Sequence, residues 1–276
     1  MARRLKLLTG LSTIALTGAL ALSACGGEGE GAAPGAEGEG AGAVQHGEAE
    51  GEGAPAAVGG EAEGAVLVDV ATDKAAYLSA LQIVRGHLRA GEELYESGDR
   101  EMGAQHMRHP QAEILTSLAP AFGAFNAMNF EPAIDALAST GEAGSPPAEV
   151  SALHAEAVRS INAASNAAGA SVKERLLAVA RTLTVAADEY SVAVKDGAIV
   201  NLHEYHDAYG FIATAIGDLE AMEGATDAEK AGIAAVLEQA KIAGTAAPKV
   251  MPPADLKPAS VIYGAAARIE IVARGL

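Results

Sequence analysis

The chain has 276 residues, a formal net charge of −17 and a single cysteine, Cys25. Such acidity argues against nucleic acid as a partner and suits cations. One cysteine excludes an intramolecular disulfide, so stability must come from burial of a core.

Taken in chain order, the first element is a leader. Arg3, Arg4 and Lys6 form a positive n-region, Leu7 to Leu20 an apolar or small h-region, and Leu22-Ser23-Ala24-Cys25 closes it. This predicts a secretory signal over 1–24. The closing tetrapeptide resembles the lipobox of bacterial lipoproteins. That resemblance implies diacylglycerol on the Cys25 thiol, cleavage before it and acylation of the new amino group, giving a membrane anchor in the cell envelope facing the periplasm. Two or more acyl chains hold stably, at about 0.8 kcal/mol per buried CH₂. Gly26 follows the cysteine where retained inner-membrane lipoproteins often carry aspartate, which by analogy favours the outer membrane.

Residues 25–65 are built almost wholly from Gly, Ala, Glu and Pro, with nine Glu and neither Lys nor Arg. Without bulky apolar groups to offset ordering entropy, this stretch is predicted to be a disordered acidic tether. No later segment reaches about 18 consecutive apolar residues, so no further membrane span is expected.

The folded region is predicted over 66–276, as one all-α antiparallel helical bundle or two packed halves, 66–140 and 147–276. Alanine is abundant, β-branched alternation is rare and apolar residues recur at helical spacing. Tyr77, Leu81, Val84, Leu88 and Leu94 define a first helix from Lys74 to Ser97, stopped by Gly98. Asp99 caps a second, ending at His109. Pro110 should push His109 out of the helical region and open another helix to about Leu118. Further helices are expected at Pro132–Ala138, Pro147–Gly169, Val172–Lys195, Val200–Met222, Asp227–Ala243 and Pro258–Ala273. The proline-rich stretch Thr245–Lys257 is read as a linker.

Five of the seven histidines fall into two short stretches. If the chain reverses at Gly98, His87 lies level with His109, and His106 is one turn away. Glu113 follows on the next turn. Three imidazoles and a carboxylate between two helices suit zinc, iron, copper or manganese. Met102 and Met107 flank the cluster and would favour reduced copper if they pointed inward, although methionine at this spacing is more often core. The competing reading is a helix cap and solvated histidines.

The second stretch contains an echo, Glu-Tyr-x-x-Ala at Glu189–Ala193 and again at Glu204–Ala208, on helices reversed at Gly197. His203 and Asp207 are i and i+4, and His203 and His206 are i and i+3, so they share a face. Glu189, Glu204 and Asp207 with one histidine can form a carboxylate-rich site between helices. Alternatively the tyrosines pack in the hairpin while their acidic neighbours cap helices and face water.

The run Glu189-Tyr190-Ser191-Val192-Ala193-Val194-Lys195-Asp196-Gly197, followed by Glu204-Tyr205-His206-Asp207-Ala208, resembles the helical extracytoplasmic segments associated with bacterial iron permeases. The first hairpin is similar to the histidine-and-glutamate sites of imelysin-like iron-uptake proteins, departing from their Gly-x-His-x-x-Glu signature because Gly86 adjoins His87 and position 90 is alanine. Either kinship implies a periplasmic protein concerned with iron or another transition metal.

No phosphate-binding glycine loop, Gly-x-Ser-x-Gly elbow or His-Glu-x-x-His helix is present, so an enzyme is not expected. The expectation is an anchored lipoprotein that binds a transition metal, iron first and copper or zinc as alternatives, beside a metal permease. The candidate ligands are His87, His106, His109, Glu113, Glu189, His203, Glu204 and Asp207. The alternative is a structural lipoprotein docking on an envelope partner without metal.

Overall fold

A computed structural model describes residues 69–276. The predicted leader, Cys25 and the acidic tether lie outside the described residues. Among those residues the chain forms a helical bundle: α1 (Lys74–Ser97), α2 (Arg100–Glu113), α3 (Leu115–Ala124), α4 (Glu131–Glu142), α5 (Pro147–Ala167), α6 (Val172–Ala193), α7 (Leu202–Glu220), α8 (Asp227–Gly244) and α9 (Ser260–Gly275), with a two-residue ladder, β1 (Val194–Lys195) and β2 (Ala198–Ile199). None of these helices is long and apolar enough to cross a membrane.

Helix boundaries follow local chemistry. The Asp73 carboxylate accepts from the Ala75 and Ala76 amides at the start of α1, and Gly98 ends that helix in the left-handed region at φ 106°. Asp99 caps α2 through the Met102 amide. Reciprocal capping boxes, Ser171 with Glu174 and Thr226 with Glu229, open α6 and α8. Between α6 and α7, Asp196 and Gly197 both take positive φ, 52° and 75°. That is the conformation of a tight two-residue hairpin turn, and it pairs Val194 with Ile199. Helix α6 therefore stops at Ala193 rather than Lys195.

Pro110 behaves differently from expectation. Helix α2 runs through it to Glu113, and the break falls at Ile114, where α3 begins. Proline in a helix interior removes one hydrogen bond and normally breaks the helix. Here His106, Met107 and Pro110 are all buried, and keeping that face against the core outweighs the lost bond. His109 consequently stays helical and in phase with His106.

Helix α1 is the hub. Seventeen of its 24 residues are buried, so it is surrounded rather than laid on a surface. It packs against α2, α5, α6 and α7, while α6, α7, α8 and α9 close a four-membered ring in which each touches the next and α9 returns to α6. Tyr190 and Tyr205, the echo residues, are fully buried and pack with ring centroids 6.0 Å apart. Their hydroxyls donate to the carbonyls of Lys257 and Lys249 in the linker after α8, at 2.9 and 3.1 Å.

Two glycine pairs set how closely α1 approaches its neighbours. A Cβ on Gly210 of α7 would collide with the Gly86 carbonyl of α1. One on Gly103 of α2 would lie 2.7 Å from the Gly91 carbonyl, and one on Gly91 2.8 Å from the Gly103 carbonyl. Glycine inside a helix is unfavourable by about 1 kcal/mol relative to alanine, so these positions are explained by backbone approach. Substituting Gly210→Ala should force α1 and α7 apart and destabilise the fold by roughly 1–3 kcal/mol. Chemical denaturation of the purified chain measures this, and an unchanged midpoint would show that the crossing tolerates a methyl group.

Candidate metal centre

Each glycine contact carries polar side chains beside it. His87 adjoins Gly86, His106 lies one turn after Gly103, and Asp207 lies one turn before Gly210. The close crossings therefore bring both histidine-containing hairpins to one place, where the sequence suggested two separate sites.

Asp207 is the centre. One of its oxygens, Oδ1, lies 2.7 Å from His87 Nδ1 and 2.9 Å from His106 Nδ1, and all three side chains are withdrawn from water. Burial alone would raise the Asp207 carboxyl, but the two imidazoles hold it well below the usual carboxylate range. An ionised carboxylate only accepts hydrogen bonds, so both Nδ1 atoms carry the proton and donate. The other nitrogen of His106, Nε2, lies 3.2 Å from His206 Nδ1, and one of the two donates. His206 Nε2 is buried and has no hydrogen-bond partner among the described residues.

A second chain of contacts reaches toward the surface. His203 stacks on His106 with centroids 3.9 Å apart, and its Nε2 is 3.1 Å from His109 Nδ1. His203 Nδ1 lies 3.4 Å from the Met102 sulfur. Its Nε2 is also 3.7 Å from Asp207 Oδ2. His109 lines an open surface pocket with Arg100, Gln105 and Arg108, so the cluster meets solvent on that side. Met107, by contrast, is a core residue of α2 packed toward Gly91 of α1 and Gly141 of α4.

The structure gathers His87, His106, His109 and Asp207 so that one ligating atom from each lies within 4.8 Å of the others. Donors of a tetrahedral ion at about 2.1 Å stand roughly 3.4 Å apart, so modest side-chain movement closes the set. Three imidazoles and a carboxylate fit the preferences of zinc, copper, iron or manganese. His203 adjoins this group. Glu113, half-buried beyond His109, and the buried Glu189 and Glu204 stand outside it. Glu204 accepts from Asn201 at 3.4 Å near the start of α7. Both Glu189 and Glu204 are buried, contrary to the alternative in which they face water. The fusion of the two hairpins, and with it the place of His206 against His106, escapes a sequence reading that treats each hairpin alone. The available signal is a mid-helix glycine next to every polar cluster.

A helical bundle with a buried imidazole–carboxylate cluster at a triple helix crossing is thus the class that fold and site define. Residues 165–274 match the family described as iron permease-associated 4-helix bundle domain. The match contains α6 to α9, the closed ring, and includes the segment whose Glu-Tyr pairs suggested that resemblance. His203, His206 and Asp207 lie inside the matched segment, whereas His87, Met102, His106 and His109 come from helices before it. No curated protein and no solved structure matches the chain.

Acid should unsettle this centre. Burial, reinforced by the neighbouring His106 imidazole, pushes His203 down to about 3 and His206 down to about 4. An unfolded chain protonates its histidines near pH 6.5. Between about pH 6.5 and 4 the unfolded state therefore binds more protons, and stability falls as the pH is lowered, by up to about 1.4 kcal/mol per pH unit for each histidine kept neutral. Asp207 acts in the same direction at lower pH, its contribution present above the unfolded value and lost as pH drops through the depressed one. Urea midpoints of the metal-free protein should decline steadily from pH 7 to pH 5, and a His203→Gln, His206→Gln double variant should flatten that decline. Parallel profiles for the two proteins would refute the assignment.

Proposed function

We propose that the chain is a lipid-anchored cell-envelope protein, facing the periplasm, that binds a transition metal ion and serves as a non-enzymatic accessory to iron uptake beside a permease. The observation that carries this reading is the buried convergence of His87, His106, His109 and Asp207, supported by the match of the adjoining ring to an iron permease-associated domain. The metal is cargo. Iron is the favoured ion, with copper or zinc as alternatives accepted by the same donors.

The residues divide the work. Asp207 supplies a negative charge and an oxygen flanked by the Nδ1 atoms of His87 and His106, which take an ion by giving up the protons they share with that oxygen. His206 adds an imidazole lone pair in the same buried region, and His109 with His203 forms the solvent-facing side through which an ion enters. A docking protein with merely solvated histidines is disfavoured, because His87, His106 and His206 are buried to 0 % exposure. Cys25 supplies the anchor, the acidic stretch 25–65 the tether, and 66–276 the working domain, with outer-membrane delivery favoured by Gly26.

The purified full chain, loaded anaerobically with ferrous, cuprous, zinc or manganous ion and passed through a desalting column, should retain one ion per chain by mass spectrometry. Changing His106→Ala should weaken retention by more than about 100-fold, beyond the effect of losing an outer hydrogen-bond partner. His154→Gln, at a histidine paired instead with Glu92, should leave it intact. Retention of none of the four ions would remove the metal reading. Separately, cells expressing the chain and fed labelled palmitate should transfer label to it, and Cys25→Ser should abolish transfer; label persisting in the variant would rule out that anchor.

A further inference from the structure

A cavity lies away from the histidines, where α1, α5, α6 and the C-terminal end of α7 meet. It encloses about 510 Å³, within the range of small-molecule sites. Its apolar floor includes Leu78, Val172 and Ala178, and its polar wall is unusually rich in hydrogen-bond donors for an acidic protein.

That wall is held in place by a continuous network. Ser79 and Thr182 share a hydrogen bond of 2.9 Å in the core, Thr182 donates to Gln82 at 2.7 Å, and Gln82 donates to Asp218 at 2.8 Å. Arg85 meets Asp218 through both terminal nitrogens and also donates to Asn162 Oδ1 at 3.0 Å. Asp218 is thereby paired with a guanidinium and hydrogen-bonded by a primary amide. Asn162, its oxygen engaged by Arg85, is left with its NH₂ group to donate.

Arg175 lines the same cavity with a different status. Its Nε donates to the Ala170 carbonyl at 3.3 Å, while its two terminal nitrogens make no hydrogen bond among the described residues. The remaining acid at the cavity, Glu223, is exposed. Arg175 thus brings to the cavity wall a guanidinium that no carboxylate pairs among the described residues, and Asn162, Ser165 and Asn166 line the same cavity. A planar guanidinium with two open donors matches a carboxylate in bidentate fashion.

We propose that this cavity binds a small carboxylate-bearing solute, with Arg175 as its anchor, the Asn162 and Asn166 amides as secondary donors, and the Leu78 and Ala178 side chains against its carbon skeleton. The site is independent of the metal reading, since its residues share no ligand with the histidine cluster. Asp218 and Arg85 position the wall and do not contact the solute's charge.

Metal-free full chain, freed of chelator by dialysis, should be titrated calorimetrically with succinate, citrate and glutarate, with the neutral diamide of succinic acid as control. Saturable one-to-one binding of at least one acid and none of the diamide is expected. Arg175→Met should weaken that binding at least tenfold while metal retention is unchanged, and His106→Ala should leave carboxylate binding as it was. Failure of all three acids, or equal binding by the Arg175→Met variant, would overturn the proposal; loss of binding in His106→Ala would relocate the carboxylate to the histidine cluster and overturn it as well.

Discussion

Backbone-to-backbone approach at two glycine pairs, Gly86 with Gly210 and Gly91 with Gly103, is the constraint from which the rest of the arrangement follows. Helices separated by ordinary side chains stand 8–10 Å apart. Removing the Cβ atoms at the crossings draws α1, α2 and α7 inward, so that a single aspartate reaches histidines on both other helices. Position and chemistry are thus specified by adjacent residues, a glycine that permits contact and a polar group that occupies the space beside it.

The buried charge of Asp207 is tolerated only because two N–H donors face one oxygen atom. That requirement propagates outward. The carboxylate places the Nδ1 protons of His87 and His106, His206 pairs with His106, and the stacked His203 with the adjoining His109 completes a block of rings. Hydrophobic packing by the tyrosines and by α1 surrounds the block, and burial keeps His203 and His206 in the neutral form that a cation requires.

Much of this is legible in the sequence. Helical periodicity gives α1 to within a residue, Gly98 and Asp99 mark the first reversal, and the level relation of His87 and His109 follows from counting along a hairpin. Legibility ended where pairing became non-local. Nothing in local spacing says that Asp207 leaves Glu189 and Glu204 to join His87, a partner 120 residues away. Pro110 misled for a related reason, because a local rule about proline was overridden by burial of the face it shares with His106. The Glu-Tyr echo was visible as a pattern, but its cause was structural: both phenols reach linker carbonyls, and the acids beside them are buried outside the ligand group.

Those two phenols have a consequence for how the molecule tolerates change. Connections between helices are ordinarily where insertions and sequence drift are absorbed. The segment joining α8 to α9 is instead fastened at Lys249 and Lys257 to rings that sit in the heart of the bundle. Lengthening it would unlatch the tyrosines and loosen the wall behind α7, so a reporter graft or an epitope there is a poor choice, and the turn after α4 is no safer, because the buried Tyr95 hydroxyl donates to the Ser145 carbonyl at 2.7 Å.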